Sequence, residues 1–323
     1  MNILVTGATG FLGGVVARRL AAAGHRVTGL GRDAARGQVL GADGVRFVPA
    51  DLHDQAAWQA VLDQQDAVLH AAARSTLWGR WPDFVADNVT VSAALARAST
   101  RQGLRLVHIS TPSVYNATGQ HVQVSESTPI GPRFDSLYAR SKYLAEQEVQ
   151  SLCPDAAILR PRGIYGRGDT SILPRLARAL RTGRLPRLTR HEVYTELTHV
   201  QNVAHACQLA LEGKAAGLFN VTDGVSIPIW ATLDTLADGL GAPRPQRYIP
   251  AAVVEGAARV LEGLAALHPA RPEPPMTASG VRLLTRPMSL DLSRAREHLG
   301  YSPLIHPTQG LAEALEAAQE AQQ

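Results

Sequence analysis

The chain contains few cysteines, few lysines, few aromatic residues and no long uncharged apolar segment. Only two of its 323 residues are cysteines, Cys153 and Cys207, and they form no CxxC or Cys/His grouping, which argues against a disulfide framework and a zinc site. Charged residues interrupt the most apolar segment, 250–267, so we expect no membrane span. The amino terminus lacks the basic segment and cleavage site of a secretory signal, and we expect a cytoplasmic protein.

Charge clusters are also missing from the sequence. The 32 basic and 28 acidic residues leave a net charge of +4 and are scattered, so we expect no nucleic-acid partner. The histidines show no metal-ligand spacing, and we predict no metal; we assign no role to His25, His121, His191 and His268. What the chain does have is a 45% share of hydrophobic residues, which is enough for a sizeable core and excludes disorder.

Short apolar, β-branched runs alternate with helical patterns through the first half of the chain, which is typical of βαβ units around a parallel sheet. The sequence predicts strands at 3–6, 27–30, 45–48, 67–70, 104–110 and 156–160. It predicts helices at 12–23, 53–63, 83–101, 138–151, 171–183, 200–213, 229–240, 250–266 and 311–323. The predicted fold class is therefore α/β, with a doubly wound parallel (Rossmann) sheet and a smaller, mostly helical lobe.

Composition changes after residue 225, where prolines become frequent between helical stretches. We place the Rossmann domain at 1–168, with 194–224 returning to it, and a substrate-binding lobe at 169–193 and 225–323. The aliphatic stretch 249–267 suits an apolar substrate, although an amphipathic helix at this spacing is more often packed in a core.

A glycine-rich turn, Thr6-Gly7-Ala8-Thr9-Gly10-Phe11-Leu12-Gly13, joins the first strand to the first helix. In this position Gly7 allows a tight turn, Gly10 allows backbone to approach a pyrophosphate, and Gly13 allows the helix to pack close to the strand. The amino end of the helix then offers free N–H groups to phosphates. The motif predicts a dinucleotide-binding site.

The end of the second strand decides which dinucleotide is favoured. NAD is usually held by an acidic residue there, but the sequence has Gly31 followed by Arg32. A glycine leaves space for a 2′-phosphate and an arginine can bind it, so we predict NADP, with NAD as the alternative if Asp33 takes the acidic role. Asp51 and Leu52, after the third strand, could lie beside the adenine, or Asp51 could cap the helix that follows.

The sequence Tyr138-Ala139-Arg140-Ser141-Lys142 places a tyrosine and a lysine four residues apart on a predicted helix. Residues at this spacing share one helical face, so the ammonium is expected beside the phenol, where it would favour phenolate. The chain has 30 arginines and only two lysines, Lys142 and Lys214. Because lysine is so rare, a lysine four residues after a tyrosine on this helix is unlikely to occur by chance. Tyr138 could then exchange a proton with a carbonyl or hydroxyl oxygen.

The fifth strand ends in Ser110-Thr111-Pro112-Ser113. A hydroxyl at the carboxyl end of a parallel strand faces the ligand crevice and can donate a hydrogen bond to a reacting oxygen. Spacing alone does not choose among Ser110, Thr111 and Ser113, and a plain Ser/Thr turn is the alternative.

These motifs together resemble the extended short-chain dehydrogenase/reductase family (the NAD-dependent epimerase/dehydratase superfamily), and specifically its 3β-hydroxysteroid dehydrogenase-like branch. The resemblance covers roughly residues 1–225 and rests on the motifs in the family's order: TGATGFLG, Asp51-Leu52, HAAA from His70, STPSVY, YxxxK and the segment Leu159–Gly166. A looser match lies around Ala295–Tyr301.

The resemblance implies roles for individual residues. Tyr138 would be the proton donor/acceptor, Lys142 would orient the nicotinamide ribose and lower the Tyr138 pKa, and Thr111 would be the active-site hydroxyl. It also implies that Asn88 is the family's helix asparagine, for which a structural role is equally good. Further cofactor contacts are implied for Thr9, Phe11, Leu12, Ala71, Ala72, Pro161, Gly163 and Ile164.

Two departures from the family pattern argue against two of the family's activities, dehydration and epimerisation of nucleotide sugars. Pro112-Ser113 replace the acidic pair of sugar-nucleotide dehydratases, and the stretch Val193–Val203 lacks the arginine that binds the diphosphate in nucleotide-sugar epimerases. The resemblance therefore implies an NAD(P)-dependent oxidoreductase that interconverts a ketone and a secondary alcohol on a hydrophobic, 3β-hydroxysteroid or 3-oxoacid substrate. It also implies a homodimer through helices 83–101 and 138–151, as in many members of the family. The alternatives are a sugar-nucleotide epimerase and a non-catalytic NADP(H) sensor.

Overall fold

A computed structural model describes residues 1–320 of the chain. Its centre is a seven-stranded, all-parallel sheet, in the order β10-β6-β5-β4-β1-β2-β3. The strands of this sheet are β1 (Asn2–Thr6), β2 (Arg26–Gly31), β3 (Arg46–Pro49), β4 (Ala67–His70), β5 (Arg105–Ile109), β6 (Ala157–Pro161) and β10 (Gly217–Val221). Four two-residue strands form two small ribbons: β7 (Ile164–Tyr165), β8 (Tyr194–Thr195), β9 (Thr198–His199) and β11 (Ile227–Pro228).

Helices cover both faces of the sheet and build the lobe. The helices of the first half are α1 (Phe11–Ala22), α2 (Ala34–Gly41), α3 (Gln55–Leu62), α4 (Trp81–Phe84), α5 (Val91–Gln102) and α6 (Leu137–Leu152). The others are α7 (Leu173–Arg181), α8 (Val200–Glu212), α9 (Ile229–Gly239), α10 (Ala251–Leu267), α11 (Ala278–Thr285), α12 (Ser293–Leu299) and α13 (Pro307–Glu320). The α/β, Rossmann-type fold class predicted from the sequence is confirmed. Residues 321–323 of the predicted terminal helix lie outside the described residues.

The alternation of side chains along β1 shows why the sheet is covered on both faces. Ile3 and Val5 belong to one buried cluster, with residues of α1 and α8, whereas Leu4 belongs to the other, with residues of α3 and α5. Because both faces of a parallel strand are buried, its sequence is a continuous apolar run. This is why the six predicted strands agree with the structure to within one or two residues at their ends.

The predicted helix 83–101 is in fact three consecutive segments. A π-helical turn, Val85–Thr90, separates α4 from α5. It contains Asn88, whose side chain is buried and fully engaged by residues outside the helix. A π-helical turn accommodates one extra residue and often occurs at functional sites, and the 3.6-residue pattern of the sequence carries no sign of it.

The lobe has a small core of its own, in which Trp230, Leu233, Val254 and Val281 pack together. On α10 only the face with Val254, Ala258 and Ala265 is buried. The opposite face exposes Val253, Val260, Leu264 and Leu267, so the apolar stretch 249–267 is only partly a core element. Across residues 1–320, none of the helices combines the length and apolar character needed to cross a bilayer.

Candidate active site

The glycine-rich loop lies between β1 and α1 and brings three backbone segments together. Gly7 has φ +70, and a Cβ there would lie 2.9 Å from the Ala72 Cα. A Cβ at Gly13 would lie 2.2 Å from the Gly7 carbonyl oxygen, so only glycine allows α1 to start this close to β1. The N-cap of α1, Gly10, provides no side-chain hydrogen bond to the first turn. The free N–H groups of that turn therefore fit an anionic ligand.

The structure also places the residues in and around this loop for which the resemblance implies cofactor contacts. Ala71 and Ala72 follow β4, and the Ala72 N–H donates to the Thr6 hydroxyl over 3.3 Å. Thr9 lies against Gly31, Phe11 faces Gly168 after β7, and Leu12 packs on the core.

At the end of β2, contact with Thr9 leaves no room for a side chain at Gly31. A Cβ at residue 31 would lie 2.6 Å from the Thr9 hydroxyl oxygen, so a glycine at this position also allows the glycine-rich loop to pack against β2. Asp33 is the N-cap of α2 and accepts a hydrogen bond from the Arg36 N–H over 3.0 Å. Arg32 is exposed, and within residues 1–320 its guanidinium has no hydrogen bond or ion pair. Asp33 is thus engaged by the backbone of α2, whereas the guanidinium of Arg32 is available to a ligand.

Asp51 does not cap the following helix, which corrects one of the two interpretations of that residue. The N-cap of α3 is Asp54, which accepts from the Ala56 and Ala57 N–H groups, and the helix starts at Gln55. Asp51 is exposed and accepts from the His53 N–H, and the Leu52 carbonyl accepts from the Trp58 indole. Asp51 and Leu52 thus lie in the turn after β3, at the carboxyl edge of the sheet.

Three residues with hydroxyl side chains, Ser110, Thr111 and Ser113, follow β5 at the carboxyl edge of the sheet. Thr111 is buried, donates to the Ser113 hydroxyl over 3.1 Å and accepts from the Ser113 N–H. The Ser110 hydroxyl is buried and, among the described residues, has no hydrogen-bond partner. Hydrogen bonding with Thr111 lowers the pKa of Tyr138, but burial dominates and raises it to about 12. The structure therefore brings Thr111 and Tyr138 together.

The electrostatic part of the Tyr138–Lys142 prediction is not what the structure shows. Lys142 is buried, and its Nζ donates to the Ile109 carbonyl over 2.6 Å and lies 3.2 Å from Nε2 of His108. Burial lowers the pKa of Lys142 to about 8, against the opposing effect of Glu146. Burial raises the pKa of Tyr138, whereas a lowering by Lys142 was expected, so the phenol form predominates at neutral pH.

A buried hydrogen-bond network connects the end of β1 to α6, which carries Tyr138, and most of its residues were not predicted from the sequence. The Thr6 hydroxyl lies 2.8 Å from Nδ1 of His70, whose Nε2 lies 3.0 Å from the Ser92 hydroxyl. Ser92 donates to the Asn88 carbonyl, and Asn88 Nδ2 donates to the Ser141 hydroxyl over 2.9 Å. The sequence signal for buried polar groups here is a histidine near the end of each of two predicted strands, His70 and His108, which the structure pairs in register on β4 and β5.

The segment after β6 forms the opposite wall of the crevice. Pro161 ends β6, Gly163 has φ +50 with its carbonyl accepting from the Thr198 N–H, and Ile164 begins β7. Beneath it, the Arg160 guanidinium forms a buried ion pair with Glu146, one turn after Lys142. This pair fixes β6 against α6, which carries Tyr138.

The sequence profile described as the NAD dependent epimerase/dehydratase family matches residues 3–222. The chain belongs to this family. The resemblance inferred from its motifs is thereby confirmed.

Two curated relatives cover nearly the whole chain. A 2-alkyl-3-oxoalkanoate reductase of Stenotrophomonas maltophilia is 33% identical over 96% of this chain and 97% of the reductase. A 3 beta-hydroxysteroid dehydrogenase/Delta 5-->4-isomerase of Mycobacterium tuberculosis is 28% identical over 97% of this chain and 89% of that enzyme. The names of these relatives agree with the enzyme class predicted from the motifs.

A solved structure of the same fold contains a nicotinamide cofactor. The UDP-glucuronic acid 4-epimerase from Bacillus cereus, in complex with NAD, superposes with a TM-score of 0.76 at 20% identity, covering 100% of both chains. At this identity the likeness extends to the fold alone. Membership of an NAD(P)-dependent family and the geometry of the glycine-rich loop together identify a nicotinamide dinucleotide as the cofactor class.

Proposed function

We propose that the protein is an NAD(P)-dependent oxidoreductase that interconverts a ketone and a secondary alcohol on a hydrophobic substrate. The observation that carries the proposal is the meeting of Thr111 and Tyr138 at the carboxyl edge of β5, on the same edge as the glycine-rich loop. The names of both relatives, a 2-alkyl-3-oxoalkanoate reductase and a 3 beta-hydroxysteroid dehydrogenase/Delta 5-->4-isomerase, support it.

The residues of the crevice fit the cofactor. Gly7, Gly10 and Gly13 would hold the pyrophosphate at the amino end of α1, with Thr9, Phe11 and Leu12 beside it. Asp51 and Leu52 would lie toward the adenine, and Ala71, Ala72, Pro161, Gly163 and Ile164 along the remaining length. When bound, the nicotinamide supplies or accepts the hydride.

Tyr138 would move the proton and Thr111 would orient the reacting oxygen. A phenol whose pKa is raised to about 12 keeps its proton at neutral pH, so the proton that would pass to the oxygen of a ketone is present on Tyr138 in the free protein. An ammonium has three N–H donors, and Lys142 uses two on Ile109 and His108. The third would remain for a ribose hydroxyl, in agreement with the role implied by the resemblance.

We propose NADP as the preferred cofactor. The free guanidinium of Arg32 at the end of β2 can bind a 2′-phosphate, while Asp33 is occupied as the N-cap of α2. We further propose that the protein acts in the cytoplasm. We also propose that it forms a homodimer through α5 and α6, and sedimentation velocity would test the oligomeric state.

The first experiment is an assay of cofactor absorbance with NADPH and NADH in parallel. The panel contains 3-ketosteroids, medium and long 3-oxoacids, neutral ketones and UDP-sugars. Oxidation of NADPH with an apolar ketone is the expected result. Tight NADPH binding without turnover of any ketone would contradict the proposal and favour a sensor, and turnover of UDP-sugars alone would favour an epimerase.

A further inference from the structure

His108 is a buried histidine at a position of β5 that packing alone would give to an apolar residue. Leu106, two residues earlier, belongs to the apolar cluster that includes Leu95 of α5 and Val149 of α6. Alternation along the strand places His108 on the same face. A polar group in such surroundings costs free energy unless it is hydrogen-bonded, so its hydrogen bonds should explain why a histidine is there.

The hydrogen bond of this histidine goes to Lys142. Nε2 of His108 lies 3.2 Å from Nζ of Lys142, and the two side chains are 0% and 1% exposed. An ammonium can only donate hydrogen bonds, so Nε2 is the acceptor and the ring proton lies on Nδ1. The buried Nδ1 has no hydrogen-bond partner among residues 1–320. Within these residues, the hydrogen bonding of the imidazole thus consists of its contact with Lys142.

Lys142 depends on uncharged acceptors because the nearest carboxylate is engaged elsewhere. Its Nζ donates to the carbonyl oxygen of Ile109, the residue after His108, over 2.6 Å. Glu146 lies one turn further along α6, but each of its carboxylate oxygens accepts a hydrogen bond from the Arg160 guanidinium. Two consecutive residues of β5 therefore provide both acceptors for the ammonium.

The other titratable groups close to Lys142 carry no charge at neutral pH. Tyr138 shares its face of α6, and burial raises the pKa of this phenol to about 12. His70 on β4 has its ring 5.2 Å from that of His108, and burial followed by the charge of Lys142 lowers the pKa of His70 to about 3. Neither group can replace a counter-ion, so the charge of Lys142 depends strongly on its two acceptors on β5.

The same two acceptors limit where the ammonium can lie. A lysine side chain is a flexible four-carbon stem with three rotatable donors, so a single contact does not fix its orientation. β5 lies between β4 and β6 inside the sheet, which makes it a rigid support. Contacts with both His108 and Ile109 hold Nζ against this strand and leave one N–H for a ligand.

We propose that His108 is a positioning residue, which holds Lys142 against β5 and keeps it charged for the ribose of a nicotinamide dinucleotide. This inference rests on the proposed function and deepens it. His108 acts through Lys142 and takes up no proton in the reaction, because burial and the charge of Lys142 lower the pKa of His108 well below its usual value. A histidine that only fills space in the core is the alternative, and the experiment separates the two.

Three variants of His108 distinguish an acceptor from a space-filling group. In His108→Gln the amide reaches the position of Nε2, whereas in His108→Asn it ends near the position of Nδ1. These two variants are matched, since both carry an amide and differ by one methylene group. His108→Leu removes the acceptor and is expected to fold, because Leu106 and Val149 already make this face apolar. Thermal unfolding checks that each variant is folded.

Two measurements follow the effect on Lys142. The first is the ¹⁵N NMR titration of its side chain in the free protein, with Lys214→Arg to assign the two lysine signals. The second is the Kd of NADPH and of NADH across the pH range in which Lys142 titrates. NADH is included because it has no 2′-phosphate whose own titration would change binding.

We expect the pKa of Lys142 to fall by about 1 or more in His108→Leu and His108→Asn, and to stay near the wild-type value in His108→Gln. The ammonium then loses its charge at a lower pH, so the binding of both cofactors should weaken at a lower pH than in the wild type. At the pH where Lys142 is half-protonated in the wild type, the Kd should rise about tenfold in the leucine and asparagine variants. The glutamine variant should rescue most of this loss.

A Lys142 pKa that is the same in His108→Leu as in the wild type would overturn the inference. So would a folded His108→Gln that behaves like the leucine variant, because the acceptor is then not what matters. The NMR titration requires neither cofactor nor ketone. If the wild type binds neither NADPH nor NADH, the proposed function fails, while the titration still decides whether His108 holds Lys142.

Discussion

Nζ of Lys142 lies 3.2 Å from Nε2 of His108 and 2.6 Å from the carbonyl oxygen of Ile109. Both neighbours are uncharged partners, since burial and Lys142 itself lower the pKa of His108 well below its usual value. Among residues 1–320 the ammonium therefore has no direct counter-ion, and Glu146 acts on it only from one turn away.

We expect Lys142 to titrate near pH 8 in the free protein. Its pKa is lowered from 10.5, so between these values the unfolded chain binds more protons than the folded one, and the free energy of unfolding rises with pH through this interval. The chain has only two lysines, so ¹⁵N-lysine NMR gives two side-chain signals, and Lys214→Arg assigns them. A Lys142 signal that titrates at 10.5 or above would contradict the prediction.

Replacing Tyr138 by Phe should abolish turnover while leaving cofactor binding nearly intact. The substitution removes the proton donor but keeps the ring, and loss of a positioned acid costs about 10²- to 10⁴-fold in rate. Turnover and fluorescence titration of NADPH measure the two effects separately. A variant that retains wild-type kcat would exclude Tyr138 from proton transfer.

Gly13→Ala should impair both stability and cofactor binding. Its Cβ would lie 2.2 Å from the Gly7 carbonyl oxygen, so α1 would have to move away from the glycine-rich loop. Gly256→Ala is the matched control, because Gly256 is also helical but has nothing within 4 Å of its Cβ position. We expect that control to gain up to about 1 kcal/mol from the helix propensity of alanine. Thermal unfolding with and without NADPH distinguishes the two; equal effects would refute the steric argument.

Arg32→Gln should weaken NADP binding about tenfold or more and leave NAD binding nearly unchanged. A charged hydrogen bond to a phosphate is worth about 1.5 to 3 kcal/mol, and the 2′-phosphate is the only difference between the cofactors. Calorimetric Kd values for both cofactors test it, with Arg26→Gln as the control, because Arg26 is an exposed arginine at the opposite end of β2. If the two affinities fall together, Arg32 does not read the 2′-phosphate.

The sequence predicts the main sheet well because its strands are buried on both faces and read as apolar runs. It fails at β10, where Gly217 opens the strand and the buried Asn220 interrupts the run. It also misses α2, which has two glycines within eight residues and a short apolar pattern. The two-residue strands β7, β8, β9 and β11 depend on tertiary pairing and carry no local signal.

At the candidate site, the sequence identifies residues better than it predicts their environment. The motif places Thr111 and Tyr138 at one edge, because parallel strands and the helix that follows them meet there. It does not show that Lys142 is buried and turned toward β5, since burial depends on packing by distant segments.

The return of β10 to the sheet has a consequence for how the protein is made. β10 pairs with β6 along all five residues, after the chain has passed through β7, α7, β8, β9 and α8. A fragment that stops at residue 168 would leave β6 as an unpaired edge, open to association with other chains. During synthesis the sheet is complete only once residue 221 has left the ribosome, so this late, long-range pairing is expected to be among the slower steps of folding.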